Sequence, residues 1–308
     1  MLYWRKCNRH QEESSMNLCD IREVRSLLGR HGFRFSKSMG QNFLIEDWVP
    51  REIAAASGAD SACGVLEIGP GIGCLTRELC ALAGKVVSVE LDRALLPVLA
   101  ETMAGAENFT LLPGDALKLD LAALAEEHFA GLTPMVCANL PYNITDPVLH
   151  ALVEAGRFQS ITVMIQKEVA QRLAAGPGSK AYGALSVYMQ YHTRVELLFD
   201  VPPSCFLPAP KVTSAVIRCE RRAAPPAAPV CGKDFFFRTV RAAFALRRKT
   251  LCNSLASAFA PGLSKEAIAG VILACGLPPT VRGEALDMEA LAALADGLHA
   301  AQSSYGSR

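Results

Sequence analysis

The chain has 308 residues, of which 51% are hydrophobic and 20% are charged, and its formal net charge is +1. This is the composition of a globular chain, and the length suits one large domain and a smaller one. No segment approaches the ~18 consecutive apolar residues of a membrane span. The basic N-terminus lacks the apolar core of a secretory signal, so we expect a cytoplasmic protein. The 11 cysteines form neither CxxC pairs nor clusters with histidine, so we expect no metal site and no disulfide framework.

The charge is distributed unevenly along the chain. Residues 48–204 contain 10 Lys/Arg and 17 Asp/Glu, whereas residues 205–250 contain 10 Lys/Arg and 2 Asp/Glu. A basic segment on an acidic body can form a localised face for phosphate groups. An ordinary solvated basic surface would have the same composition, so the pattern alone leaves both interpretations open.

Strand and helix signals alternate along the first two thirds of the chain. Residues 1–18 are expected to form a disordered extension, and apolar residues at helical spacing predict a helix over 19–32. Strands alternating with helices are typical of an α/β fold with a parallel sheet. The strands are predicted at 64–68, 85–89, 109–112, 135–138, 161–165 and 212–219, and the intervening helices at 74–82 and 94–103.

A different composition follows this region. Residues 223–229 read Ala-Ala-Pro-Pro-Ala-Ala-Pro, which is typical of a linker. Three Ala/Leu-rich stretches near 234–259, 264–275 and 287–301 then predict helices. We therefore expect an α/β domain over 19–222, a linker over 223–233 and a small helical domain over 234–308.

A glycine-rich loop, Gly69-Pro70-Gly71-Ile72-Gly73, follows the first predicted strand and opens a helix. Glycines allow a tight turn and a close approach of ligand to backbone. Glu90 ends the second strand 21 residues past Gly69, where an acid can bind ribose hydroxyls. A nicotinamide dehydrogenase fits this pattern nearly as well, except that GxGxxG requires a glycine where Cys74 stands. An S-adenosylmethionine pocket uses the same strand ends and needs no loop that binds a pyrophosphate. Asp115 either accepts a hydrogen bond from the adenine amino group of this cofactor or is a plain turn residue.

The tetrapeptide Asn139-Leu140-Pro141-Tyr142 follows the predicted strand at 135–138. The Asn139 oxygen and a main-chain carbonyl near Pro141 can together accept both hydrogens of a planar exocyclic amine. The Tyr142 ring can stack on the base that carries this amine. Asn and Pro are also common in simple strand-to-loop turns, which is the alternative interpretation of this segment.

These motifs occur in an order that resembles the bacterial small-subunit ribosomal RNA adenine dimethyltransferase family. The resemblance covers about residues 19–300 and implies a Rossmann-like S-adenosylmethionine-dependent methyltransferase fold with a small C-terminal all-α domain. It also implies two adjacent adenosines near the 3′ end of 16S ribosomal RNA as targets, and a role in subunit biogenesis. The segments that carry it are 38–44, 67–71, 89–92, 114–116, 139–143, 166–169, 179–183, 206–216, 247–251 and 282–284.

The resemblance also assigns roles to individual residues. The cofactor would be S-adenosylmethionine, and its pocket would include Asn42, Leu44, Gly69, Gly71, Glu90, Asp115 and Asn139. The catalytic set would be Asn139, Leu140, Pro141 and Tyr142, with Phe206 on the second face of the target adenine unless it is a core aromatic. The basic segment 205–250, apart from the resemblance, predicts RNA contacts at Lys211, Arg247, Arg248 and Lys249, and the last three are expected to lie in a helical stretch. Ser38-Met39 departs from the Arg-Phe that is frequent at this point in the family.

Three alternatives remain from the sequence. A macrolide-resistance type methyltransferase of large-subunit RNA shares the fold and chemistry, although residues 247–251 and 282–284 favour the small-subunit type. A dehydrogenase is the second alternative. The third is a ribosome-assembly binder whose catalysis is secondary. For the small-subunit enzyme we expect 16S ribosomal RNA in the small subunit or its precursor as partner, a monomeric protein and no membrane contact.

Overall fold

The computed structural model describes residues 16–36, 39–260 and 262–305, so most of the predicted N-terminal extension lies outside the described residues. The helices are α1 (Ile21–Arg30), α2 (Trp48–Ser57), α3 (Cys74–Leu82), α4 (Leu96–Thr102), α5 (Leu121–His128), α6 (Thr145–Ala155), α7 (Lys167–Ala174), α8 (Ala184–His192), α9 (Lys233–Ala245), α10 (Leu251–Phe259), α11 (Lys265–Ala274) and α12 (Met288–Tyr305). The strands are β1 (Phe43–Leu44), β2 (Cys63–Ile68), β3 (Lys85–Glu90), β4 (Phe109–Pro113), β5 (Thr133–Asn139), β6 (Ser160–Gln166), β7 (Thr193–Val201), β8 (Phe206–Leu207) and β9 (Ser214–Arg221).

Seven strands form one sheet in the order β4-β3-β2-β5-β6-β9-β7. The pairs among β4, β3, β2, β5 and β6 are parallel, as the alternating pattern predicts. Strand β9 runs antiparallel to β6, since the end of β6 lies beside the start of β9. The Lys167 N–H at the end of β6 donates to the Thr213 carbonyl just before β9. At its other end, the Arg222 N–H donates to the His192 carbonyl just before β7. The sheet is therefore mixed, which corrects the expectation of a wholly parallel one.

The centre of this sheet is buried and tightly packed. All six residues of β2 are buried, as expected for a parallel strand covered on both faces. Gly64 is required there, because a Cβ at this position would lie 2.3 Å from the Phe129 ring. This rigid centre fixes the positions at which the strands end, and the loops beyond those ends carry the candidate site.

The chain divides into two compact units, residues 1–167 with 198–218 and residues 168–197 with 219–308. The second unit groups α7 and α8 with the C-terminal helices, whereas composition placed them in the α/β domain. The boundaries expected at the linker over 223–233 stay a prediction about which parts fold independently. No helix in the described ranges is long and apolar enough to cross a bilayer.

The predicted helix over 234–259 is two helices, α9 and α10, separated by residues 246–250. The break is stabilised by Ser254, whose hydroxyl accepts from the Leu246 N–H at 3.1 Å and donates to the Ala242 carbonyl at 2.6 Å. Arg247, Arg248 and Lys249 therefore lie in a turn and not in a helix, which corrects the sequence-based expectation. In α9, Phe236 and Phe237 are buried, in agreement with a packing role for these aromatics.

Candidate active site

A cleft opens at the carboxyl ends of β2, β3, β4 and β5, within the first unit. Ligands of open α/β sheets bind at this edge, because the loops beyond parallel strands converge there. The space between the protein atoms, with the open mouth included, is about 1110 Å³. Each predicted cofactor residue lines this cleft, namely Asn42, Leu44, Gly69, Gly71, Glu90, Asp115 and Asn139.

The glycine-rich loop supplies the floor between β2 and α3. Gly69, Gly71 and Gly73 have φ values of 71°, 62° and 93°, a backbone region that side chains with a Cβ rarely adopt. A Cβ at Gly71 would also lie 3.2 Å from the Phe43 ring. The glycines are thus needed for the turn, and they leave the backbone open to a ligand.

Glu90 ends β3 with its carboxylate almost fully buried at the cleft. Burial raises the pKa of Glu90, while hydrogen bonds from the backbone of Asp92 and Gly71 oppose this shift. The Asp92 N–H donates to Oε1 at 2.7 Å. The carboxylate is therefore oriented by the same loop that forms the floor, and it can accept from a ligand hydroxyl.

Asp115 follows β4 and also lines the cleft. Its Oδ1 accepts from the Leu117 N–H at 3.1 Å, and its Oδ2 lies 3.4 Å from Lys118 Nζ. These contacts are those of a turn residue, one of the two interpretations that the sequence left open. Asp115 also lines the cleft, so a hydrogen bond from the adenine of a cofactor to its carboxylate stays a prediction.

Glu67 is a functional candidate that the sequence interpretation passed over. It is buried in β2 beside the cleft, and its Oε2 accepts hydrogen bonds from Thr76 Oγ1 and Ser88 Oγ, both at 2.7 Å. Desolvation raises the pKa of Glu67 to about 7, against the effect of these hydrogen bonds. The available signal was an acid inside an apolar strand directly ahead of the glycine loop.

The lining of the cleft carries charge of one sign only. It includes Glu67, Glu90, Asp92 and Asp115, and none of the described residues in the lining is Lys, Arg or His. Opposite charges nearby stabilise a charged group, whereas like charges raise its free energy. The cleft therefore favours a cationic ligand and disfavours a ligand with a pyrophosphate.

The segment Asn139–Tyr142 forms one edge of the same cleft. The Asn139 carboxamide has no hydrogen-bond partner among the described residues, so its oxygen is available to a ligand. The Leu140 side chain is buried and its N–H donates to the Met164 carbonyl at 3.1 Å. These contacts hold the segment against β6 and leave the Asn139 side chain at the cleft.

The hydrogen bonds near Pro141 show which main-chain carbonyl is open to a ligand. The Pro141 carbonyl accepts from the Ile144 N–H at 3.2 Å and from Thr145 Oγ1 at 3.3 Å, so both its lone pairs are used. Within the described residues, the carbonyl of Leu140 has no hydrogen-bond partner. Beside the Asn139 carboxamide, the Leu140 carbonyl is thus available to a ligand and the Pro141 carbonyl is not.

Tyr142 lies at the cleft with its ring orientation fixed. Its hydroxyl is 2.6 Å from Ser214 Oγ at the start of β9, and burial raises the pKa of Tyr142. Ser214 is a second residue that was not predicted, because it lies 72 positions away in the chain. The ring face is thus presented to the cleft by a contact that only the fold creates.

Phe206 is not brought to the cleft with Tyr142. It is 3% exposed, belongs to the hydrophobic core and pairs with Leu44 in the small sheet of β1 and β8. Its ring lies in the core, so the expectation that it stacks on a target base stays a prediction. Leu44, its partner in the pairing, lines the cleft instead.

The residues predicted to bind RNA have different surroundings. Lys211, Arg248 and Lys249 are exposed. Arg247 is also exposed, but its Nη2 donates to the carbonyls of Lys180 at 2.5 Å and Tyr182 at 3.3 Å, and it lies 3.4 Å from Glu284 Oε2. Arg247 therefore holds segments of the second unit together, and the other three are free to meet solvent or phosphate.

Comparison with known proteins identifies the family. Residues 32–274 match the family described as ribosomal RNA adenine dimethylase. The chain belongs to this family. It is 46% identical over 278 residues to a protein of Geobacillus thermodenitrificans named ribosomal RNA small subunit methyltransferase A, covering 89% of this chain and 94% of that protein. A protein of Streptococcus gordonii with the same name is 44% identical over 286 residues, covering 92% and 98%.

Solved structures agree with the fold of a ribosomal RNA adenine dimethylase. A dimethyladenosine transferase from Plasmodium falciparum has a TM-score of 0.68 at 24% identity, covering 82% of this chain and 95% of that one. The 23S ribosomal RNA methyltransferase ErmE has a TM-score of 0.63 at 25% identity, covering 83% and 99%. The Rossmann-like methyltransferase fold and the enzyme class are thus confirmed, and the dehydrogenase alternative is excluded.

Proposed function

We propose that this enzyme dimethylates the N6 amines of two adjacent adenosines near the 3′ end of 16S ribosomal RNA, in the small ribosomal subunit or its precursor. The observation that supports it most is the joining of the acid-lined cleft and the Asn139–Tyr142 edge in one cavity. The relatives that share 42–46% of this sequence are named as small-subunit methyltransferases. This favours the small-subunit substrate over the large-subunit alternative.

The methyl donor that we propose is S-adenosylmethionine, and the residues present fit it. A sulfonium and an ammonium group match a lining that carries only acidic charge among its ionisable side chains in the described residues. Glu90 would accept from the ribose hydroxyls and Asp115 from the adenine amine. Asn42, Leu44, Gly69, Gly71 and Asn139 would complete the walls of the pocket.

When bound, this donor supplies a methyl group activated by the sulfonium. The chain's own task is to prepare the adenine N6 amine, whose lone pair is delocalised into the ring. The Asn139 oxygen and the Leu140 carbonyl accept the two amine hydrogens, which favours a pyramidal nitrogen with a directed lone pair. Tyr142 stacks on the base, which offsets part of the few kcal/mol needed to unstack it from the RNA.

No strong base is needed in this mechanism. The methylated nitrogen is briefly cationic and very acidic, so its proton passes to a carbonyl or to water. The Asn139 and Leu140 oxygens stabilise the developing positive charge while it exists, and they are already oriented before reaction. Catalysis then rests on positioning, which agrees with a site that has no histidine in the described lining.

The test is methyl transfer from labelled donor to small subunits isolated from cells that lack this modification. We expect label on two adjacent adenosines near the 3′ end of 16S ribosomal RNA, and none on large subunits. Label on large subunits alone would establish the macrolide-resistance type. A variant without transfer that still bound precursor subunits would support a separate assembly role.

A further inference from the structure

An exposed aromatic residue lies beside the cleft and is not used by the proposed mechanism. The Phe35 side chain is 42% exposed, although its ring centroid is 5.7 Å from that of Phe33 and 5.4 Å from that of Phe43. Phe43 is buried and lines the cleft. One side of the Phe35 ring is thus held by other aromatics, and part of its surface stays open to solvent.

Hydrogen bonds attach this segment to the rim of the cleft. The Ser36 N–H donates to Gln41 Oε1 at 3.1 Å, and Gln41 Nε2 donates to Asp92 Oδ2 at 2.6 Å. Gln41 and Asp92 both line the cleft. The residue next to Phe35 is therefore tied to the cleft by Gln41, which reaches from Ser36 to Asp92 just beyond β3.

The same rim touches the segment that is proposed to hold the target base. A Cβ on Gly40 would lie 3.1 Å from Asn143 Oδ1 and 3.7 Å from Pro141 Cβ. Residues 40 and 41 thus connect Phe35 with the Asn139–Tyr142 edge. A nucleotide next to a base bound at that edge would leave the cleft close to Phe35.

The charge beside Phe35 suits a polyanion. Arg34 is exposed and has no ion-pair partner among the described residues. Trp48, which is 41% exposed in the same unit, lies instead in a surface depression that is acidic on balance, since Asp20, Glu46, Asp47 and Glu52 line it together with a single cation, Arg51. An aromatic ring next to an unpaired guanidinium is the combination that binds single-stranded nucleic acid, whereas an acidic surrounding repels phosphate.

We propose that Phe35 is a stacking platform for a nucleotide adjacent to the target adenosine, and that Arg34 binds a phosphate of the same single-stranded segment. This inference rests on the proposed function, because it takes the substrate to be RNA with a base in the cleft. Every base has a face that can stack, so the platform would position the RNA without reading its sequence.

The test compares Phe35→Leu with Trp48→Leu, which removes an equally exposed ring elsewhere in the same unit. Phe35→Leu should lower single-turnover kcat/KM on unmodified small subunits by about 5- to 150-fold, the range for one lost base stack. Its affinity for S-adenosylmethionine, measured by calorimetry, should stay at the wild-type value. Trp48→Leu should leave both quantities unchanged, and Phe35→Trp should retain wild-type transfer.

Arg34→Gln should reduce the slope of log affinity against log salt by about 0.7–0.9, the value for one phosphate contact. A wild-type kcat/KM in Phe35→Leu would overturn the platform, while methylation by the wild-type enzyme would leave the proposed function intact. Loss of donor affinity in Phe35→Leu would also overturn it, since the ring would then only support the pocket. Absence of methylation by the wild-type enzyme would instead refute the proposed function.

A direct readout covers the case in which Phe35→Leu does not fold. Phe35→Trp is introduced into a chain with Trp4→Phe and Trp48→Phe, so that fluorescence reports on this position alone. Stacking on RNA bases should quench the emission when a single-stranded RNA with the 3′-terminal sequence of 16S ribosomal RNA is added. Unquenched emission at saturating RNA would overturn the platform.

Discussion

At the scale of single residues, the cleft is defined by acids held in place by backbone N–H groups and hydroxyls. Glu90 is oriented by Asp92 and Gly71, and Glu67 by Thr76 and Ser88. Their proposed roles differ, because Glu90 would accept from the donor while Oε2 of Glu67 already accepts two hydrogen bonds within the protein. The two acids therefore give separate predictions.

Glu90→Ala should weaken binding of S-adenosylmethionine by roughly 1.5–3 kcal/mol, because a charged hydrogen bond to the ribose is lost. Isothermal titration calorimetry measures this directly. Glu46→Ala is the matched control, since Glu46 is an exposed acid of the same unit outside the cleft lining. Unchanged affinity in Glu90→Ala would remove this residue from the donor site.

Glu67 predicts a pH dependence of stability. Its pKa is about 7 in the folded protein against an ordinary value of 4.5. Folding then favours the protonated form, so its contribution to stability is full below pH 4.5 and is lost as pH rises through 7. Glu67→Gln removes this loss, because an amide stays neutral.

Relative to wild type, Glu67→Gln should therefore have a larger free energy of unfolding, and so a greater stability, at pH 8 than at pH 5. One pKa unit corresponds to about 1.4 kcal/mol, so the change should be a few kcal/mol. Denaturant titrations of both proteins at the two pH values measure it. If the difference in stability between the two proteins did not change with pH, the pKa of Glu67 would not be raised in the folded protein.

At the scale of elements, the small sheet of β1 and β8 connects a core residue to the wall of the cleft. Phe206 is buried in the hydrophobic core, and its backbone pairs with that of Leu44. Leu44 lines the cleft, so β8 supports the wall that carries it. A defect in β8 should therefore act through stability.

Phe206→Ala should lower the free energy of unfolding by about 3–5 kcal/mol, the usual cost of emptying a buried aromatic site. Phe206→Leu should recover part of this stability and keep methyl transfer within a few fold of wild type. Thermal unfolding and single-turnover transfer are measured on the same preparations. A stable Phe206→Leu protein with transfer below a tenth of wild type would instead indicate a direct contact with the target base.

The turn between α9 and α10 contains two kinds of basic residue. Arg248→Gln and Lys249→Gln should each reduce the salt slope of subunit binding by about 0.7–0.9 if each residue meets one phosphate. Arg247→Gln should instead lower the free energy of unfolding, because its hydrogen bonds to two carbonyls are lost. The loss should be only about 1 kcal/mol, because the side chain is half exposed. Equal effects of all three changes on the slope would contradict this division.

At the scale of the whole molecule, the sequence predicted the central strands because buried parallel strands are continuous apolar runs. The predicted helix over 74–82 has the bounds of α3. The strand β7 was missed because most of its nine positions are partly or fully exposed, and the resulting pattern is not apolar. Helix α2 and helices α5 to α8 were missed as well. The break after α9 depends on Ser254, whose contacts are not visible in the order of residues.

The site was predictable to the extent that its residues follow strands. Glycines, acids and an asparagine at strand ends are recognisable locally, and the structure brings them to one cleft. Contacts between distant positions were not predictable, such as Gln41 with Asp92, 51 residues apart, and Tyr142 with Ser214, 72 residues apart. The positive charge of Arg247 was evident, but its carbonyl partners are a property of the fold.

The central claim is that one cleft holds the donor and that the Asn139–Tyr142 edge orients the amine. Single-turnover methyl transfer by Asn139→Ala to unmodified small subunits, with donor affinity measured on the same preparation, tests it most directly. We predict that transfer falls by about 10²–10³-fold, as when one preorganised hydrogen bond is removed from an active site, with at most a partial loss of donor affinity. Transfer at the wild-type rate would contradict the account.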